Sequence, residues 1–415
     1  MITLIEALNF RCLRYIRQPL GPFNVLVGPN ASGKTTFIDV VAFLGDLVSK
    51  GLEKAIYERS FNLQDLIWDR SGDRFELAIE AEIPKNYRNL LNKKEYEIVR
   101  YEVAIGIDPI TMENVILAEK ALLKIPHKHP PNERFLFPMW IEPPDTIQTS
   151  KGPRGTKTII NKISGGNDNF YDETGKGWDH SFKLGSKKSA LGNLPDDESK
   201  FPVTMWLKKM LIDGVQQFVL NSMLIRKPSP PGQVKGFKPD GSNLPWVIED
   251  LYKKHPARFK EWIQHLQTAL IDIEDIHTIE RPEDKNRYLI IRYKGGVEIP
   301  SWMVSDGTLR LLALTLPAFY TDFKGIYLIE EPENGIHPIA VETMVQSLSS
   351  VYHAQVILAT HSPVFLSVVD VDKILCFAKN EDNSTDIVNG TEHPALKDWR
   401  GEVNLGDLFA GGVLG

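Results

Sequence analysis

Cysteine is nearly missing from this chain: Cys12 and Cys376 are the two in 415 residues. That excludes a disulfide framework, and their spacing fits no zinc-binding pattern. A reducing compartment, the cytoplasm, is the expected location. Long apolar runs are also lacking; none approaches the roughly 18 residues that a membrane-spanning helix requires. The opening Met1-Ile-Thr-Leu-Ile-Glu reads as a strand and not as a secretion signal, so no membrane partner is expected. Nor is there an excess of positive charge, since 48 Lys and Arg face 54 Asp and Glu, for a formal charge of −6. Any contact with nucleic acid would have to come from a local basic patch. What remains is an ordinary globular composition, 42% hydrophobic and 25% charged, long enough at roughly 100–200 residues per domain for two or three compact units.

Residues 2–10 and 23–27 are rich in β-branched and aromatic side chains and read as strands, with a Pro-Leu-Gly-Pro turn between them. A helix is expected over 34–49. Alternating stretches at 75–83 and 96–107 point to an antiparallel meander. From 126 to 202 Pro, Gly, Lys and Asn become frequent and periodicity is lost, which reads as a loop-rich insertion. Its 151–188 section holds more basic than acidic residues, a solvated surface or a contact for nucleic acid. Helical segments follow at 203–212 and 244–270, without heptads that would build a long coiled-coil arm. Beyond 271 the order becomes strand 271–279, strand 288–293, helix 306–320, strand 325–329, helix 338–351, strand 355–359 and strand 373–377. Alternation of apolar strands with helices marks a parallel α/β core covered on both faces. The segment 399–414 carries apolar residues suited to docking onto that core. The expected division is therefore a head made from 1–125 and 271–415, with 126–270 inserted.

Four motifs carry the chemistry. Gly28-Pro-Asn30-Ala31-Ser32-Gly33-Lys34-Thr35-Thr36 stands between an expected strand and an expected helix. Its glycines let the backbone curl so that N–H groups and the helix N-terminus face a polyphosphate. Lys34 would neutralise the β- and γ-phosphates, and the Thr35 hydroxyl would ligate Mg²⁺. Second, the apolar strand Ile326-Tyr-Leu-Ile ends in Glu330 and Glu331, one carboxylate for the metal's surroundings and one to polarise a water. Third, Val356-Ile-Leu-Ala-Thr360-His361-Ser362 ends a strand in a histidine able to donate to a γ-phosphate. Fourth, Ser305-Asp-Gly307-Thr308 opens a helix, either as an anion-binding end or simply as an N-cap.

Taken in order, these motifs resemble the ABC-type ATPases of the RecF, SMC and OLD (overcoming-lysogenisation-defect) branch, an AAA-family group that includes ATPase subunits of bacterial anti-phage systems. The opening Ile5-Glu-Ala-Leu-Asn-Phe-Arg11-Cys12 and Phe23-Asn-Val-Leu-Val are similar to that branch too. The resemblance implies an α/β ABC-type head with mixed and parallel sheet, an N-terminal antiparallel β lobe and a middle insertion. It implies that Lys34 and Thr35 are the Walker A pair, Glu330 and Glu331 the Walker B pair, and His361 the switch histidine. Ser305, Gly307 and Thr308 would be the signature that completes the nucleotide site of an opposite copy, so a homodimer or larger homo-oligomer is implied. Arg11 would approach the adenine or α-phosphate, and Gln64, ahead of Gln216 and Gln217, would sense Mg²⁺.

Three departures stand out. Glu330 replaces the usual Asp, Asp306-Gly307-Thr308 stands where transporters carry Gly-Gly-Gln, and His337 occupies the place of a D-loop Asp. The short stretch after His361 leaves little room for the Toprim domain of OLD-type nucleases. The expectation is an ATP- and Mg²⁺-dependent ATPase controlling a separately encoded, nuclease-like effector, plausibly in anti-phage defence. A DNA-binding repair or chromosome-associated ATPase, using Lys157, Lys187 and Lys188, is one alternative; a nucleotide-gated scaffold with negligible turnover is the other.

Overall fold

The computed structural model describes residues 1–126, 134–150, 152, 154–175, 180–233, 236–397, 399 and 404–414. Lys151, within the basic section, and residues 400–403, within the expected docking segment, lie outside them.

Two sheets enclose one long helix. The larger is eight-stranded and antiparallel: Leu13–Pro19, Ile2–Phe10, Arg74–Glu82, Ile98–Ile107, Asn114–Lys124, Thr156–Ile163, Asp168–Phe170 and His180–Phe182 lie side by side in that order. The second has six strands in the order Val215–Phe218, Ile326–Glu330, Gln355–Ala359, Phe23–Val27, Ile374–Lys379 and Thr385–Asn389. All of its pairings are parallel except the last. The helix Lys34–Lys50 buries Phe37, Val40, Val41, Phe43, Leu44 and Leu47 between them. Alternation along Ile326–Glu330 explains the layering: Ile326 and Leu328 join the core around this helix, whereas Tyr327 and Ile329 join the core on the other face. That second core is closed by the helices Leu244–Lys254, Pro256–Leu266, Asp306–Thr315 and Pro338–Ser349. No helix among the described residues is long and apolar enough to cross a membrane.

The α/β class, the antiparallel lobe and the parallel core are as expected, and the strands Ile2–Phe10, Phe23–Val27 and Gln355–Ala359 fall on the expected bounds. Other elements differ, each for a local reason. The expected helix over 244–270 is two, because Pro256 starts a new one after His255. The helix from Asp306 stops at Thr315, with Pro317 in the following 3₁₀ turn. Residues 126–202 are not all loop. Thr156–Ile163 extends the antiparallel sheet, and its buried residue Lys162 pairs with buried Asp168 at 2.6 Å, so a charged side chain interrupts the apolar alternation. Residues 203–270 likewise reach the core: Pro202–Asp213 packs on Lys34–Lys50, and Val215–Phe218 forms the sheet's edge. In the segment 399–414, Leu405 and Leu414 are buried, and Gly406 sits against the Pro363 carbonyl.

One buried side chain stitches the two sheets. Gln355 donates from Nε2 to the carbonyls of Ile2 (2.8 Å) and Gly21 (2.7 Å), while its Oε1 accepts from the Ile2 N–H at 2.9 Å. Each buried polar group left without a partner costs about 1–3 kcal/mol. Gln355→Leu is therefore expected to lower unfolding free energy by about 3 kcal/mol or more in a urea titration; a loss below about 1 kcal/mol would refute this role.

Candidate functional site

The phosphate loop leaves the strand Phe23–Val27 at the C-terminal edge of the parallel sheet, where open α/β sheets bind ligands. Gly33 has φ of 103°, and a Cβ there would lie 2.4 Å from Thr385 Oγ1, so glycine is required twice over. Thr385 also donates its hydroxyl to the Ser32 carbonyl (2.9 Å) and its N–H to the Cys12 carbonyl (3.0 Å). The C-terminal hairpin thus holds the loop from behind. No spacing rule in the sequence points to Thr385, because the contact spans 353 positions.

A cleft of about 670 Å³ opens over the loop. Asn30, Ala31, Ser32, Gly33, Lys34, Thr35, Thr36, Arg11, Glu331 and His361 line it, so ten of the expected site residues meet there. Glu330 joins them through the Thr35 hydroxyl, which donates to its Oε2 at 2.6 Å. Lys34 folds over the loop, donating to the carbonyls of Gly28 and Pro29, both at 2.8 Å. Burial pulls its pKa down to about 8, against the opposing charges of Glu331 and Glu330. Burial, reinforced by the nearby Lys34 charge, likewise lowers His361, with Glu331 opposing; a lowered pKa favours the neutral ring near pH 7. Glu331 is held at φ of 45°, an uncommon conformation for a branched-free acid that fixes where its carboxylate emerges. Its N–H donates to the Ala359 carbonyl at 2.8 Å, which ties the two strand ends together.

Arg11, also at positive φ, pairs with Asp39 at 3.2 Å while facing the cleft. Sequence reading missed the opposite wall: Asp65, Ile67, Asp69, Arg70 and Lys379 line it with Cys12. Gln64 is not among the lining residues. It sits beside Asp65 in the 3₁₀ turn Leu63–Leu66, with its Oε1 buried and unpartnered among the described residues. Gln216 and Gln217 are elsewhere: both lie on the edge strand Val215–Phe218, and Gln216 donates to the Phe237 carbonyl. Ser305, Gly307 and Thr308 also stand away from the cleft. Ser305 caps the helix Asp306–Thr315 through the Thr308 N–H at 3.2 Å, and Arg226 pairs with Asp306 at 2.6 Å. His337 caps the helix Pro338–Ser349, its Nδ1 accepting from the Ile339 N–H at 3.3 Å.

The oxygen donors fit Mg²⁺. A hydroxyl and a carboxylate in contact are hard ligands. Among the described residues no group of three or more His, Cys, Asp or Glu side chains converges to cage a metal. Such a partial set suits an ion that arrives with phosphates and water.

The depressed Lys34 pKa has a consequence for anion binding. Below about pH 8 the ammonium is charged in the free protein; above it the charge is lost unless a polyphosphate restores it. Affinity for a non-hydrolysable ATP analogue should fall as pH rises from 7 to 9, by up to about tenfold per unit above the free pKa. Calorimetry at pH 9 in two buffers of different ionisation heat should show proton uptake on binding, and heats that ignore the buffer would contradict this.

The chain is similar to known proteins in sequence and in fold. Residues 23–104 and 155–367 match the family described as "AAA domain, putative AbiEii toxin, Type IV TA system". Over 85 residues the chain is 46% identical to a protein named OLD nuclease from Thermus scotoductus (strain ATCC 700910 / SA-01), a match covering 20% of this chain and 15% of that protein. In fold it is similar to the head in the crystal structure of the SmcHead bound to the C-winged helix domain of ScpA, with a TM-score of 0.53, 16% identity, and coverage of 93% of this chain and 97% of that one. The chain belongs to this AAA-domain family.

Proposed function

We propose that this chain binds ATP with Mg²⁺, hydrolyses it as a homodimer or larger homo-oligomer, and through that cycle controls a separate nuclease-like effector in anti-phage defence. The observation that carries the ATPase reading is the contact of Thr35 Oγ1 with Glu330 Oε2 at 2.6 Å, inside a cleft also faced by Lys34, Glu331 and His361. Thr35 and Glu330 would hold the metal. When bound, Mg²⁺ supplies charge neutralisation on the β- and γ-phosphates. Lys34 and the loop N–H groups hold the phosphates. Glu331 accepts a proton from the attacking water, and the neutral His361 ring donates a hydrogen bond to the γ-phosphate.

The signature residues support the oligomer. Ser305 is exposed, away from its own cleft, beside exposed Trp302, Met303 (69%) and Met223 (67%). A second copy would cover these side chains and receive Ser305, Gly307 and Thr308 against its own nucleotide. Support for a nuclease-like effector comes from the partial match to the OLD nuclease. Direct DNA binding draws less support: the Lys157 ammonium is occupied by the carbonyls of Asp172 (2.6 Å) and Gly175 (3.0 Å), and Lys187 pairs with Glu113 (3.1 Å) and Glu53 (3.4 Å). The scaffold reading loses one of its motives, since Glu330 does reach Thr35.

Phosphate release by the purified chain tests the chemistry. Glu331→Gln should keep nucleotide affinity and reduce release on the order of 10²–10⁴-fold; unchanged turnover would remove Glu331 from its role. Wild-type release should ignore added double-stranded DNA, whereas strong stimulation would favour the DNA-binding alternative. Shared sites make a further demand. Lys34→Met and Ser305→Arg, each inactive alone, should recover activity when mixed, because one composite site then retains both intact halves; no recovery would argue for sites confined to one copy.

A further inference from the structure

The turn after the acidic strand end holds a third glutamate that the reaction outlined above does not use. Glu333 Oε1 accepts the Thr360 hydroxyl at 2.5 Å and the His361 N–H at 3.3 Å. Its Oε2 is buried and has no partner among the described residues. Thr360 is itself fully buried, and its hydroxyl accepts the Ser362 N–H at 3.0 Å, so one carboxyl oxygen organises the backbone on both sides of His361. Burial raises the pKa of Glu333, with the accepted hydrogen bonds opposing and the charge of Glu331 adding to the rise.

The same turn reaches two other parts of the machinery. Asn334 donates from Nδ2 to Glu331 Oε2. Gly335 lies against the helix Asp306–Thr315, where a Cβ on Gly307 would meet its carbonyl oxygen at 2.5 Å and a Cβ on Gly335 would lie 3.7 Å from the Arg310 side chain. Residues 331–336 therefore touch the carboxylate proposed as base, the switch histidine and the signature helix within one short loop.

We infer that Glu333 is a positioning residue: its Oε1 clamps the Thr360–Ser362 turn to the acidic strand end and so sets the His361 ring relative to Glu331. This inference rests on the ATPase reading for its catalytic consequence, but the clamp itself does not. It acts through His361, and touches no phosphate. A hydrogen-bond acceptor is all that the role requires, so glutamine should replace glutamate whereas alanine should not.

The test compares Glu333→Ala, Glu333→Gln and wild type by steady-state phosphate release and by hydrogen exchange at the 360–362 amides. Glu333→Ala should lower kcat on the order of 10- to 100-fold with KM for ATP changed less than about threefold, as expected for a group that orients a catalytic one. Glu333→Gln should stay within about threefold of wild type in both. In the nucleotide-free chain, exchange at 360–362 should quicken at least about tenfold in Glu333→Ala and remain near wild type in Glu333→Gln. Unchanged kcat in the alanine variant, a loss carried by KM alone, or a glutamine variant as impaired as alanine would each overturn the assignment. If wild type released no phosphate, the ATPase reading would fail by itself, and the exchange data would still decide the clamp: protection lost with alanine and kept with glutamine supports it, and any other pattern overturns it.

Discussion

Everything at the cleft depends on where one short strand sits. Phe23–Val27 lies between Gln355–Ala359 and Ile374–Lys379, bonded in parallel to both. Residues from opposite ends of the chain thereby share one sheet edge, and the phosphate loop emerges beside Glu330 and His361. Parallel strands place their C-terminal ends on the same side, so loops that are hundreds of positions apart open into one crevice. The surrounding layers enforce the pairing: Val25 and Val27 face one core, Leu26 the other. A one-residue slip would turn these side chains to the wrong cores and displace the loop from its carboxylate partner.

The site's electrostatics follow from that enclosure. Lys34 is only 6% exposed and spends its hydrogen bonds on loop carbonyls, with two carboxylates near enough to oppose its loss of charge. A group so placed gains most when a polyphosphate arrives, because its desolvation has already been met within the fold. His361 is lowered by the same burial and by Lys34 itself. Positive charge is thus concentrated on the lysine, and the ring is left neutral to donate.

Much of the architecture can be read locally. The strand–loop–helix pattern around Lys34, the alternation at 75–83, and the apolar strands ending in Glu330 and Thr360 are all determined within about ten neighbouring residues, the range over which periodicity acts. Where reading failed, a nonlocal contact had taken over. Thr156–Ile163 hides its strand pattern by burying Lys162 against Asp168, and Val215–Phe218 is too short to show a period. The wall formed by Asp65, Ile67, Asp69, Arg70 and Lys379 bears no motif, since these side chains meet only through chain crossings. Gln64 itself does not line the cleft, whereas its neighbour Asp65 in the turn Leu63–Leu66 does.

What the amino-acid order alone carries is local: a glycine-bearing loop before a helix, of the kind suited to polyphosphate, and an acid pair after an apolar strand, because those patterns belong to residue types at fixed spacing. Only the folded arrangement brings Glu330 to Thr35 and Glu333 to Thr360, and leaves Ser305, Gly307 and Thr308 outside the cleft lining. Those are distances between segments far apart in the chain, and spacing along a chain carries no information about them until strand pairing and core burial select one arrangement.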